Sequence, residues 1–330
     1  MEREPPVTRE PISERLPGTI AGGSSAPPSR APTARIELHH FISRTVTDEQ
    51  FLRGAGEGKP ATIGGELRLP SGTGRIPAVI LVHGSAGIGA NVDRWANELN
   101  GLGAGAFLLD CFTGRGITQT ITDQSLLGGL TMIVDAYRAL ELLSNHARIE
   151  ASRIALMGFS KGGFVALYAS LKRFHHMHGP ANAEFIAHIP FYAQCNTAYI
   201  EDEQISDRPI RLFHGTADDY VSIAPCRNYV ERLRRAGKDV QLTEYAGAGH
   251  AFDNPLYSPA RFLPDAVTTN HCLREELPGG EIVDRQTRQP FDWSDPCVKR
   301  GATVNYDSLA TAKATEAVRN FLVATFKLSF

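Results

Sequence analysis

Three residues far apart in the chain, each placed just after an apolar run, are of the types that acyl transfer requires: Ser160, Asp218 and His250. A serine hydroxyl is a poor nucleophile until a base takes its proton, and that base needs an acid to hold it in one tautomer. Ser160 lies in Gly158-Phe159-Ser160-Lys161-Gly162, a G-x-S-x-G pattern between the apolar stretches 154–157 and 164–167. This setting predicts a short strand, a sharp turn with the serine at its tip, and a helix. The glycines let the helix pack close behind the strand, and the helix aims its first free N–H groups where an oxyanion would form. Asp218 follows the apolar run 210–213 in a Gly-rich turn. It is expected to point back toward the strand end, while Asp219 faces solvent or caps the next helix. His250 sits in the small-residue loop 247–252, after a further strand at 240–243.

The oxyanion needs two backbone donors, one just after the nucleophile and one from the loop after an earlier strand. Lys161 N–H is the first. The second is assigned to Ser85, with Ala86 the close alternative, in the loop that follows the apolar run 78–82. His83, in the same loop, is expected to brace the turn, not to catalyse. Asp110 precedes the serine and is expected to order the turn 111–116. The substrate pocket is expected to draw on Ile88, Phe112, Phe159, Tyr192 and Tyr220.

The elements that must position these residues read as strands alternating with helices. Leading strands at 36–41 and 61–69 are expected to run antiparallel at a sheet edge. Strands near 79–82, 106–109, 154–157, 185–189, 210–213 and 240–243 follow, with helices near 93–102 and 126–143 and a closing helix over 308–326. Such alternation implies an α/β fold with a mainly parallel central sheet and helices on both faces. Acid and base then fall past the C-terminal ends of parallel strands, where open α/β sheets keep their sites.

Two stretches stand apart. Residues 1–34 are rich in Pro, Gly, Ser and Arg and are expected to be a disordered tail, with too little apolar area to offset the entropy of ordering. They lack the apolar core of a signal peptide, which points to the cytoplasm. Residues 253–305 interrupt the expected α/β domain, 35–330, as a long segment of weak periodicity. Its aromatic side chains suggest a cover over the site.

At 330 residues and 42% hydrophobic, the chain can bury a full core. A net charge of −2 suggests neither nucleic acid nor an anionic membrane as partner, and it leaves the oligomeric state open. Cys272 and Cys297 bracket the irregular segment, and Cys195 and Cys226 sit near strand ends. Either pair would make a disulfide, but all are taken as thiols, with Cys111 unpaired. No metal is expected. His175, His176 and His178 have no partner at ligand spacing, and His39 and His40 alternate across a strand.

From about Glu37 onward the chain resembles the dienelactone hydrolase-like α/β-hydrolases. The marks are His83-Gly84-Ser85-Ala86-Gly87, the elbow from Gly158 to Gly163, the turn from His214 to Asp219 and the loop from Gly247 to Phe252. The resemblance implies an α/β-hydrolase fold and cleavage of a small ester or lactone through an acyl-enzyme, without a cofactor. Two positions depart from the namesake enzymes. Ser160 stands where they carry a cysteine, and the loop after the first core strand lacks their glutamate. Serine-type esterase chemistry is therefore expected. A peptidase using the same triad and a non-catalytic ligand-binding protein of the same fold are the alternatives.

Overall fold

The computed structural model describes residues 33–56 and 58–328. The expected tail lies outside these residues, except Thr33 and Ala34, which open the first strand. The first half of the chain runs β1 (Thr33–Thr45), α1 (Asp48–Leu52), β2 (Lys59–Pro70), β3 (Ile76–Val82), α2 (Ala90–Gly101), β4 (Gly105–Asp110), α3 (Gly129–Ser144) and β5 (Ile149–Phe159). Then come α4 (Lys161–Tyr168), α5 (Lys172–His178), β6 (His188–Phe191), β7 (Thr197–Ala198), β8 (Ile210–Gly215), α6 (Ile223–Arg235) and β9 (Val240–Tyr245). The chain closes through β10 (Arg261–Thr268), β11 (Arg274–Glu276), β12 (Ile282–Asp284), β13 (Lys299–Val304) and α7 (Ser308–Phe326).

Eight strands form one sheet in the order β1-β2-β4-β3-β5-β6-β8-β9. β1, β2 and β4 pair antiparallel, and every pair from β4 to β9 is parallel. The central strands read as unbroken apolar runs because both faces are covered. In β3, Ala78, Ile80 and Val82 pack toward α3 and α4, while Val79 and Leu81 pack toward α2 and α7. The chain turns outward from β3 to β4, then returns to the other side of β3 at β5. The strand order therefore reverses between β3 and β5. Their C-terminal ends diverge there and leave a crevice, the place where open α/β sheets bind ligands.

Local expectations hold in the core and fail at its margins. α7 spans the predicted residues, with Ala310, Ala314, Val318 and Leu322 buried and an Asp307 side-chain cap on Ala310 N–H. The strand expected over 185–189 instead begins at His188, after Phe185 and Ala187 are already buried. The segment 253–305 is not without regular structure: β10 pairs with β13, and β11 pairs with both β12 and β7. These strands are short and partner distant segments, so no local period announces them.

The cysteine expectation is corrected. Cys195 is bonded to Cys226 and Cys272 to Cys297, while Cys111 is free and buried. The first bond ties the loop after β6 to α6, and the second closes the segment that holds β11 and β12. Both suit an oxidising environment. Among the described residues no helix is long and apolar enough to cross a membrane.

Candidate active site

Ser160 stands between β5 and α4 with φ 55° and ψ −113°. A non-glycine residue with positive φ is strained and persists only where its surroundings dictate it. Here the neighbours are glycines pressed against backbone. A Cβ on Gly162 would lie 2.1 Å from the Val82 carbonyl oxygen, and one on Gly158 would lie 1.9 Å from the Gly162 oxygen. The turn is also pinned by Ser160 N–H to the Phe191 oxygen at 3.0 Å.

His250, almost fully buried, brings Nε2 to 2.9 Å from Ser160 Oγ and Nδ1 to 2.8 Å from Asp218 Oδ2. The rings of Tyr192 and Tyr220 each lie 4.8 Å from the imidazole, centroid to centroid, and pack against it. Asp218 accepts N–H bonds from Tyr220 at 3.0 Å and Val221 at 2.7 Å on its other oxygen. Burial alone would raise this carboxyl. The charge and hydrogen bonds of His250 and His214 instead hold it well below the ordinary carboxylate range. His214 reaches Asp218 Oδ2 at 3.3 Å and the Val221 oxygen at 2.9 Å through one Nε2. Its part in fixing the acid has no sequence signal beyond its place in the turn. Asp219 faces solvent, where it takes the Thr303 N–H at 2.8 Å, and Ser222, not Asp219, caps α6.

The loop after β3 is built as expected. His83 bonds the Gly84 oxygen through Nδ1 and takes the Cys111 N–H on Nε2, and burial keeps its imidazole below the ordinary histidine range. Asp110 Oδ1 accepts the N–H groups of Phe112 and Thr113. Ser85 and Lys161 both line the cavity at Ser160.

Two cavities meet at Ser160, Ser85 and Tyr220. The larger, about 740 Å³ with its open mouth, is also lined by Lys161, Gln124, Tyr199, Thr268, Arg274 and Trp293. The smaller, about 510 Å³, is lined by Phe159, Tyr192, Tyr257, Leu263 and Val304. Of the expected pocket residues, Phe159, Tyr192 and Tyr220 line these cavities. Phe112 does not, because its ring packs in the core against His83 at 4.3 Å, and Ile88 is exposed and lines neither cavity. Tyr192 is held by its hydroxyl, which donates to Asp253 at 2.7 Å. Gln124 and Arg274 were not legible as site residues, since each enters from a segment that carries no motif, while Trp293 and Tyr257 are aromatic side chains of the segment expected to cover the site.

A profile of the dienelactone hydrolase family matches residues 63–274, about two-thirds of the chain and all of the site except the last wall. The chain belongs to the dienelactone hydrolase family. As a member it is a hydrolase acting on ester bonds. It is 26% identical over 226 residues to a protein from Bradyrhizobium sp named as a probable 2-oxo-3-(5-oxofuran-2-ylidene)propanoate lactonase, covering 63% of this chain and 88% of that one. Among solved structures, a dienelactone hydrolase-like promiscuous phosphotriesterase from metagenomic libraries has the same fold, with a TM-score of 0.55 at 18% identity, over 88% of this chain and 99% of the other. Esterase 2 of Thermogutta terrifontis, phosphonylated by cyclosarin, aligns with a TM-score of 0.55 at 17% identity, over 90% and 97%. These two likenesses concern the α/β-hydrolase fold.

One cluster elsewhere has the composition of a metal site. The ligand atoms of Glu37, His39 and His146 lie within 4.8 Å of one another. His146 Nδ1 accepts the Arg148 N–H at 3.2 Å, however, so the neutral ring carries its proton on Nε2, the atom that faces Glu37 at 2.9 Å. A metal would need that nitrogen bare, so the cluster reads as a hydrogen-bonded brace.

Proposed function

We propose that this family member is a serine esterase or lactonase that works through an acyl-enzyme. The observation that carries this reading is the continuous chain of two bonds from Ser160 Oγ through His250 to Asp218. His250 Nε2 takes the serine proton as Oγ attacks the ester carbonyl, and Asp218 holds the tautomer and stabilises the imidazolium. The amides of Lys161 and Ser85 receive the oxyanion. His250 then returns the proton to the leaving alcohol, and water releases the acid by the same steps reversed. In a lactone, the leaving alcohol stays tethered to the acyl group.

The two cavities that meet at Ser160 suit a small ester with one arm on each side of the reacting carbonyl. The larger side offers polar groups and the smaller offers aromatic and aliphatic walls. The segment 253–305 supplies side chains to both and acts as a cover that shapes them. The lactonase name of the Bradyrhizobium relative supports a lactone among the substrates.

Ser160→Ala should lower kcat on p-nitrophenyl esters by about 10⁴-fold or more and abolish labelling by a fluorophosphonate, with the fold retained by circular dichroism. Retained turnover by this variant would reject the reading. Absence of labelling in the wild type, together with no hydrolysis of any ester or lactone, would favour a ligand-binding role instead.

A further inference from the structure

The side chain that follows the nucleophile does not enter solvent. Lys161 Nζ donates to Leu127 O at 2.8 Å, Thr120 Oγ1 at 3.1 Å and Gln124 O at 3.3 Å, all within the loop between β4 and α3. That loop in turn holds Ser85. Thr120 N–H donates to Ser85 O at 2.8 Å, and the Gln124 amide bonds Ser85 Oγ at 3.0 Å. We propose that the Lys161 ammonium is a positioning group for ester hydrolysis: it fastens this loop to the nucleophile turn and thereby fixes the Ser85 amide as oxyanion donor. The proposal rests on the acyl-transfer reading above. One residue then serves the oxyanion twice, by its own N–H and, through its side chain, by the partner amide.

The count of hydrogens makes the charge matter. An ammonium has three N–H groups, and three neutral oxygens surround it. A neutral amine has two N–H groups and a lone pair, so it serves only the two carbonyls, the Thr120 hydroxyl must turn its proton from Gln124 to that lone pair, and the loop is held by weaker, uncharged bonds. Burial pulls Lys161 down to about 7, against the opposing charges of Asp48 and Asp123. Of the groups around it, burial pushes His83 below the ordinary histidine range and pushes Tyr199 and Tyr220 up, the latter to about 12. Burial raises Asp48, against the charges of Arg274 and Lys161.

The test is the pH profile of kcat and KM for p-nitrophenyl acetate, from about pH 5 to about pH 10, in the wild type, Lys161→Met, Lys161→Arg and Thr120→Val. The wild type should lose kcat on a descending limb that begins near neutrality. Lys161→Met should lower kcat about tenfold or more, leave KM little changed and lack that limb. Lys161→Arg, which keeps its charge, should restore part of the loss and also lack the limb. Thr120→Val removes one acceptor of the ammonium and should shift the limb to lower pH; it serves as the deciding variant if Lys161→Met does not fold. Wild-type kcat in a folded Lys161→Met, or a limb that Thr120→Val leaves in place, would overturn the proposal. Fluorophosphonate labelling of Ser160 in every variant separates this failure from failure of the triad reading, which would appear as turnover by Ser160→Ala.

Discussion

At Ser160 two residue-level conflicts are built into adjacent positions. The serine holds a backbone conformation that its side chain disfavours, and the lysine beside it holds a charge where burial disfavours charge. The first is enforced by the close approach of Gly158 and Gly162 to neighbouring backbone. The second has a measurable linkage. Below about 7 the folded and unfolded chains both carry the Lys161 proton, and the folded state bears the full cost of the buried charge. From about 7 up to the ordinary lysine value of 10.5, the folded chain has released a proton that the unfolded chain still holds. Stability must therefore rise with pH through that window. The Tm of the wild type minus that of Lys161→Met should increase from neutral to alkaline pH. A difference that stays flat would show that the ammonium is not disfavoured by the fold. In the window where stability rises, the proposed brace is lost, so activity and stability are expected to move in opposite directions.

At the element scale, the sheet edge is tied to the helical layer by one buried cluster. Asp135 of α3 is fully buried and pairs with Arg115 through both guanidinium nitrogens, at 2.6 and 2.9 Å. It also accepts from Ser43 of β1, while Arg115 Nε donates to Thr45 of β1 at 2.7 Å. The cluster joins β1, α3 and the turn after β4, the same turn that leads into the loop braced by Lys161. Removing one partner of a buried pair strands the other charge, at a cost of about 3–5 kcal/mol. Arg115→Met should destabilise the protein by about that amount in urea unfolding, with the m-value preserved. A loss below about 1 kcal/mol would mean that Asp135 finds other partners or takes up a proton. The cluster was invisible in the chain, where Arg115 appears only as part of a Gly-rich turn.

Across the whole molecule, the last third of the chain completes a site that the central sheet begins. Thr268 and Arg274 flank Cys272, and Trp293 stands four residues before Cys297, so the second disulfide gathers the wall of the larger cavity. The paired variant Cys272→Ser/Cys297→Ser should lower the Tm, since a cross-link of this loop size is worth about 3 kcal/mol. It should also raise KM for bulky esters more than for p-nitrophenyl acetate. An equal change in KM for both substrate sizes would mean that the segment does not shape the pocket. Thiol titration of the denatured, unreduced protein should find one thiol per chain, Cys111; five would remove both cross-links.

The amino-acid sequence by itself determined the order and the chemical types of the candidate site. Ser160, Asp218 and His250 each follow an apolar strand, and strand, turn and glycine signals are local, so their placement at the sheet's C-terminal rim was readable. The sheet core and the bounds of α7 were readable for the same reason, since their apolar periods are long and continuous. Only the tertiary structure decided what surrounds Ser160: the cysteine pairing, the short strands of the last third, the exclusion of Phe112 from the pocket, and the grip of Lys161 on its loop. Each of these depends on which distant segments meet, and a contact between segments tens or hundreds of residues apart leaves no period or spacing in either one.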